Sequence, residues 1–167
     1  MNEAIFVAYA LILLGAAGED VWRLRISNIF PIMLLALFFA ALIIKGMPSD
    51  VWQNAIGFAA MLTLGLLLFA RKWLGGGDVK LFAATAIWFN FAGLWKLIFW
   101  VTAAGALLAL VLIVSRRLFL KAEAGAGAGA SHPVLVAKGP IPYGMAIAAG
   151  GLIAAWQGST NPVIVPW

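Results

Sequence analysis

The chain has 167 residues, of which 65% are hydrophobic and only 10% are charged. Soluble domains carry roughly 25% charged residues, so this composition excludes an ordinary soluble protein and indicates an integral membrane protein. The chain has no cysteine, which excludes disulfides, thiolate metal sites and a cysteine nucleophile.

Six apolar segments come close to the length of about 20 residues that a bilayer-spanning helix needs. In chain order they are residues 2–22, 26–44, 51–70, 79–95, 97–114 and 141–157. They take up nearly the whole chain. We therefore predict an all-α fold, a polytopic membrane bundle of about six transmembrane helices that forms one membrane-embedded domain over residues 1–167.

The net charge of +5 is concentrated on one side of these six spans. The loops after spans one, three and five, together with the adjoining start of span four, hold nine of the eleven basic residues, which are Arg23, Arg25, Arg71, Lys72, Lys80, Arg116, Arg117, Lys121 and Lys138. Basic residues in short loops mark the cytoplasmic side. We expect both termini to be non-cytoplasmic, the membrane to be a bacterial inner membrane or its archaeal equivalent, and no nucleic-acid partner.

One low-complexity segment, "AEAGAGAGASHP" at residues 122–133, lies in the third cytoplasmic loop. Its glycine and alanine content predicts a flexible linker. The segment contains His132, the only histidine, and a lone imidazole makes a poor metal site. We expect no metal and no cofactor.

Acidic residues are rare in this chain, and a carboxylate at membrane depth is costly and usually functional. Three of the six acids fall in terminal or loop positions: Glu3, Asp50 and Glu123. Asp20 lies at the cytoplasmic end of the first span, beside Glu19, and Asp78 lies at the start of the fourth span. The charge distribution places Asp20 and Asp78 on the same membrane face at similar depth, so the two side chains can meet.

Each acid also has a simpler interpretation. Asp78 follows three glycines and is a preferred residue type for a helix N-cap. Asp20 can pair with Arg23 or Lys80, and Glu19 can be exposed to water. A cap does not need three glycines, however, and glycines allow another segment to approach the backbone closely.

Two neighbouring carboxylates can hydrolyse an amide without a metal or a serine or cysteine nucleophile. Like charges about 3 Å apart do not both ionise easily, so one group acts as a base and the other as an acid near neutral pH. The sequence leaves open which aspartate has which role. A divalent metal is the less favoured interpretation, because two carboxylates without histidine provide few ligands.

The stretch "GGGDVK" at residues 75–80 resembles the GxGDxK signature of type IV prepilin peptidases, with Gly75, Gly77, Asp78 and Lys80 at the matching positions. Presenilin-like proteases share GxGD, but they pair it with a YD motif that this sequence does not contain.

Two further segments are similar to this family. Its other aspartate precedes an Ile-Pro-Asn turn, and "DVWRLRISN" gives Asp20, Ile26 and Asn28 in that frame, with Ser27 in place of the usual proline. Near the C-terminus, "KGPIPYG" matches a third family segment through Lys138, Pro142, Tyr143 and Gly144. A basic loop followed by a helix that begins at a proline explains the third segment equally well.

The resemblance implies a membrane aspartyl protease in which Asp20 and Asp78 are catalytic. It implies as substrate a prepilin-like precursor, with a short basic cytoplasmic leader followed by an apolar helix that lies in the membrane lipid. Larger members also carry a cysteine-containing methyltransferase domain, so this chain resembles the short, peptidase-only kind that serves tight-adherence (Flp) pili or archaeal preflagellins. Only one of two adjacent helical side chains can point at Asp78, and we expect Glu19→Ala to retain cleavage.

The main alternative is a small transporter or channel subunit whose aspartates carry protons or cations. Transporters usually place such acids near the membrane midplane. Asp20 and Asp78 adjoin cytoplasmic basic residues instead, which favours hydrolysis at the membrane surface.

Overall fold

A computed structural model describes residues 3–126 and 141–159 of the chain. In these two ranges it contains helices and no strand. The six helices are α1 (Glu3–Arg23), α2 (Ile29–Lys45), α3 (Val51–Ala70), α4 (Gly76–Ala86), α5 (Phe91–Ala126) and α6 (Tyr143–Ser159). The predicted all-helical fold is confirmed, and the described residues form six helices; that all six cross the membrane stays a prediction.

Three of the helices are long and apolar enough to cross a membrane: α1, α3 and, within α5, Phe91–Arg117. The helix α2 is apolar but shorter, at 17 residues. Large apolar side chains on the outer surface of the bundle, such as Leu11, Ile43 and Phe99, are exposed. An exposed apolar surface of this extent is suited to lipid, and the protein is an integral membrane protein.

The fourth predicted segment has the wrong limits. Residues 79–95 are not one helix, because α4 ends at Ala86 and α5 begins at Phe91. Lys96, which we expected between two spans, therefore lies inside α5. With 11 residues, α4 is about 16 Å long, roughly half the thickness of a bilayer core.

Hydrogen bonds from side chains explain why the chain turns between α4 and α5. The Asn90 side chain accepts a bond from the Gly93 amide at 2.9 Å, which is how an N-cap residue starts a new helix. From α3, the Asn54 amide group donates to the Ile87 carbonyl at 2.9 Å, and the Gln53 side chain accepts a bond from the Phe91 amide at 3.2 Å. The turn thus satisfies backbone groups that a continuous helix would have paired internally.

The short helix α4 is at the centre of the bundle. It packs against α2, α3 and α6, while α6 also packs against α1 and α5. Its residues Leu81, Ala83 and Ala84 are buried, and Gly65 of α3 lets Val79 approach closely. The surrounding helices therefore fix the position of α4, and with it the position of Asp78 in its first turn.

The predicted linker is only partly within the described residues. Its first five residues, 122–126, continue helix α5. The remaining residues, including His132, lie outside the described ranges, as does Lys138.

Candidate active site

The structure places Asp20 and Asp78 on the wall of the same cavity, which has a volume of about 910 Å³. The cavity lies at the end of the bundle where α1 ends and α4 and α6 begin. Its wall also includes Leu24, Phe69, Lys72, Trp73, Leu74, Gly75 and Tyr143. Two carboxylates from separate helices thus face one space that is large enough to admit a peptide.

Asp20 is in the last turn of α1 and is only 5% exposed. Its Oδ2 accepts a hydrogen bond from the Gly144 amide at 2.7 Å. Gly144 is the second residue of α6, where backbone amides have no partner within the helix. The start of α6 therefore holds the carboxylate in a fixed orientation.

Asp78 is at the start of α4, but it is not the N-cap. The N-cap is Gly75, and Asp78 is the third residue of the helix. Its Oδ2 accepts a bond from the Gly75 amide at 3.2 Å, which is the return half of a capping box. Its Oδ1 is buried and has no hydrogen-bond partner among the described residues. One oxygen therefore stabilises the helix start while the other is free for a ligand or water.

Asp78 lies outside the three long apolar helices. Its surroundings favour the protonated form of its carboxyl group. Burial raises the pKa of this carboxyl above its ordinary value, and the nearby Asp20 raises it further, while the Gly75 amide acts in the opposite direction. Burial and a like charge both disfavour ionisation. A proton is therefore retained at the site to a higher pH than at an exposed aspartate.

We expect Asp78→Asn to be more stable than the wild type at pH 8 and not at pH 4. The folded protein binds the Asp78 proton more tightly than the unfolded chain, in which aspartate ionises near pH 4. The resulting stability is fully present below that pH and is lost as the pH rises through the folded-state pKa. Thermal unfolding in detergent at the two pH values measures the difference, and a gain of equal size at both would contradict this explanation.

The predicted supporting residues of the two aspartate motifs contact each other. Lys80 donates a hydrogen bond from Nζ to Oδ1 of Asn28 at 2.9 Å. Gly77 packs against Ile26 so closely that a Cβ at position 77 would lie 3.0 Å from the Ile26 carbonyl oxygen. The turn between α1 and α2 is thereby packed against the first turn of α4.

The third predicted segment also reaches the cavity. Tyr143 lines the cavity, Gly144 binds Asp20, and Pro142 is buried just before α6 begins. Tyr143 and Gly144 thus lie beside the two aspartates, whereas Lys80 and Asn28 contact each other and line a different cavity.

Glu19 differs from our expectation that water solvates it. Its side chain is only 20% exposed, and Oε2 accepts a hydrogen bond from the Ser27 amide at 2.7 Å. The sequence carries no signal for this contact, because it depends on how the chain turns after α1. Leu24 makes that turn with a φ of 52°, a conformation that is uncommon for leucine.

A second, apolar groove of about 420 Å³ adjoins the cavity between α3, α5 and α6. It shares Leu74 and Tyr143 with the cavity. The rest of its wall is apolar or small and includes Leu64, Leu68, Phe82, Val101, Ala106 and Ile147. A polar site with two carboxylates therefore continues into an apolar groove at the side of the bundle.

The described residues contain no cluster of three or more histidine, cysteine, aspartate or glutamate side chains that could hold a metal ion. The cavity itself offers the carboxylates of Asp20 and Asp78. Calcium takes six to eight oxygen ligands in proteins, so this donor set fits a dicarboxylate site better than a calcium site.

Comparison with known families gives one match. The sequence model of the type IV leader peptidase family matches residues 6–114, which is 109 of the 167 residues and includes both Asp20 and Asp78. No curated protein matches the chain significantly, and no solved structure does so either. Because the match extends over about two thirds of its length, the chain belongs to the type IV leader peptidase family.

Proposed function

We propose that this protein is an aspartyl endopeptidase that removes the short basic leader from prepilin-like precursors, such as Flp-type pilins or preflagellins. The observation that carries the proposal is the shared cavity of Asp20 and Asp78. Membership of a peptidase family supports hydrolysis of a peptide bond.

In the proposed mechanism the two carboxyls share one proton and hold a water molecule between them. The ionised carboxylate removes a proton from the water as the water oxygen attacks the scissile carbonyl carbon. The protonated carboxyl gives its proton to the carbonyl oxygen. When the C–N bond breaks, the leaving nitrogen takes the proton that the base removed from water, and a hydroxyl of the diol intermediate gives its proton to the other carboxylate. The products are a carboxylic acid and an amine, and the pair again holds one proton.

We assign the initial proton to Asp78. Its pKa is raised by burial and by the charge of Asp20, and its Oδ1 has no protein partner in the described residues. An oxygen without a partner can donate its proton to substrate without first breaking a hydrogen bond. Asp20, which is fixed by the Gly144 amide, then acts as the base.

The cavity and the groove match the two parts of such a precursor. The apolar groove suits the hydrophobic helix that follows the cleavage site, and the polar cavity suits the extended peptide at the scissile bond. Leu74 and Tyr143 lie where the two meet. The scissile bond is thus expected at the junction, next to the aspartates.

Filling the groove is expected to impair cleavage without affecting the aspartates. Ala106 lines the groove and is exposed, and a phenylalanine there would occupy space that the precursor helix needs. We expect Ala106→Phe to lower kcat/KM about tenfold, mainly through a higher KM. The matched control is Ala60→Phe, an exposed alanine of α3 that lines none of the cavities described above; equal activity of the two variants would argue against helix binding in the groove.

The distribution of basic residues supports a cytoplasmic active site. Lys72 lines the cavity itself, Arg23 is the last residue of α1, and Arg25 and Arg71 lie in the turns that follow α1 and α3. Under the positive-inside rule, this end of the bundle faces the cytoplasm, both termini face outward, and the leader approaches from the cytoplasm. We further propose that the protein has no methyltransferase activity; transfer of a methyl group from S-adenosylmethionine by the purified protein would overturn this.

The test is co-expression with a pilin-like precursor from the same genome, followed by gel analysis and N-terminal sequencing of the product. The proposal expects a shortened product whose new N-terminus is the start of the apolar segment. Absence of cleavage with several such precursors in membranes that contain folded protein would contradict the proposed function.

A further inference from the structure

The turn between α1 and α2, residues 24–28, contacts the neighbouring helices α1 and α4 at three of its residues. Ile26 packs against Gly77, Asn28 accepts a hydrogen bond from Lys80, and the Ser27 amide donates to Glu19. The first two contacts reach the residues on either side of Asp78. The third ties the turn back to the last turn of α1, next to Asp20.

The Glu19 contact is one of two charge-assisted hydrogen bonds of the turn, the other being the bond that the Lys80 ammonium donates to Asn28. A bond from a backbone amide to a carboxylate is charge-assisted and about twice as strong as a neutral one, and here it is short, at 2.7 Å. The other oxygen of Glu19 lies 3.6 Å from the Arg23 guanidinium, but the Arg23 side chain is 70% exposed, and exposed ion pairs contribute little. The main interaction of Glu19 is therefore with the turn.

The turn has a conformation that needs external support. Leu24 has a φ of 52°, and a non-glycine residue in this region persists only where neighbouring structure holds it. At position 27 a proline would restrict the backbone through its ring, but serine does not. Serine at this position also has a backbone N–H that donates to Glu19, whereas proline has none.

We propose that Glu19 is a positioning residue: its carboxylate holds the α1–α2 turn, through the Ser27 amide, against the first turn of α4, and so fixes Asp78 relative to Asp20. The inference rests on the proposed function for its catalytic consequence, but the contact itself is independent of it. It also refines the expectation that Glu19→Ala retains cleavage, because the variant should then cleave more slowly than the wild type. Glu19 does not line the cavity with the aspartates, so its effect passes through the turn.

The first test measures the position of the turn without any substrate. The chain has no cysteine, so the pair Asn28→Cys and Lys80→Cys, whose native side chains are in contact, reports on the approach of the turn to α4 by its rate of disulfide formation in membranes. We expect Glu19→Ala to slow disulfide formation several-fold in this background. Glu3→Ala, an exposed glutamate in the same helix, is the control that leaves the rate unchanged.

The second test measures cleavage. We expect Glu19→Ala to lower kcat about tenfold with little change in KM, because the residue orients the carboxylates and does not contact substrate. Glu19→Gln keeps an acceptor oxygen and should recover most of the activity. In a Ser27→Pro background there is no amide hydrogen to accept, so Glu19→Ala should cause no further loss.

The outcomes separate this inference from the proposed function. An unchanged rate of disulfide formation in Glu19→Ala, or a Glu19→Gln variant as impaired as Glu19→Ala, would overturn the positioning role whether or not Ser27→Pro folds. If the wild type cleaves no precursor, the proposed function fails. The rate of disulfide formation still shows whether Glu19 holds the α1–α2 turn against α4.

Discussion

Replacing either Asp20 or Asp78 with asparagine is expected to reduce leader cleavage by about 10³-fold, since proton transfer by positioned groups typically contributes 10² to 10⁴. Asparagine has nearly the same volume as aspartate and keeps an oxygen that can accept the hydrogen bond from the Gly144 or Gly75 amide. It cannot take a proton from water or share one with the remaining carboxyl. The comparison of wild type and variants on a gel, in membranes with a co-expressed precursor, measures the loss.

The matched control is Asp50→Asn, because Asp50 is at the start of α3 and makes no side-chain cap bond there. It should cleave like the wild type. The double variant should be no worse than either single one, since groups that act as a unit are not additive. Retention of cleavage by both well-expressed single variants would exclude the two-aspartate mechanism, and loss in only one would point to a different partner for that carboxyl.

Most of the fold follows from the sequence, because long apolar runs have few alternatives in a membrane. The predicted limits of the third helix, 51–70, are those of α3. The error at α4 and α5 arose because the chain turns through hydrogen bonds from α3, such as that from Asn54 to Ile87, and no local pattern contains them. Asn90 could have indicated the start of α5 from the sequence alone, because asparagine is a common N-cap residue and an apolar run follows it.

The site was predictable to a different degree. Carboxylates are so rare in this chain that charge and position leave few candidates, and the resemblance to the prepilin peptidase motifs favoured Asp20 over its neighbour Glu19. Their hydrogen-bond partners were not predictable from the same data, since the Gly144 amide is 124 residues from Asp20. The contact between Glu19 and the Ser27 amide was missed for a related reason, because a turn that starts at a leucine with positive φ has no sequence signature.

These contacts suggest why glycines are concentrated at the site. At position 75 a Cβ would lie 2.7 Å from Asp78 Oδ2, and at position 77 it would meet the α1–α2 turn. Each glycine therefore permits a close approach that a larger residue would prevent. Of the two glycine amides that donate to the aspartates, that of Gly144 makes the shorter hydrogen bond, at 2.7 Å compared with 3.2 Å for Gly75.

We expect Gly144→Ala to lower cleavage by about 30-fold without unfolding the protein, a loss comparable with that of one charge-assisted hydrogen bond. A Cβ at this position would lie 2.8 Å from Asp20 Oδ2 and 3.0 Å from Asp20 Cβ, so the carboxylate must move away. In doing so it loses its 2.7 Å bond from the Gly144 amide. The cleavage assay gives the loss, and thermal unfolding in detergent verifies the fold.

Gly18→Ala is the control for this substitution, because Gly18 is also helical, is two residues from Asp20, and has no atom within 4 Å of an added Cβ. Alanine there should raise helix stability slightly and leave cleavage intact. Because both variants replace a helical glycine with alanine and only the one at position 144 meets Asp20, a difference between them isolates the contact with Asp20 from any general effect of losing a glycine. Equal activities would mean that Asp20 does not need the orientation that α6 provides, and the assignment of Asp20 as the fixed base would then be wrong.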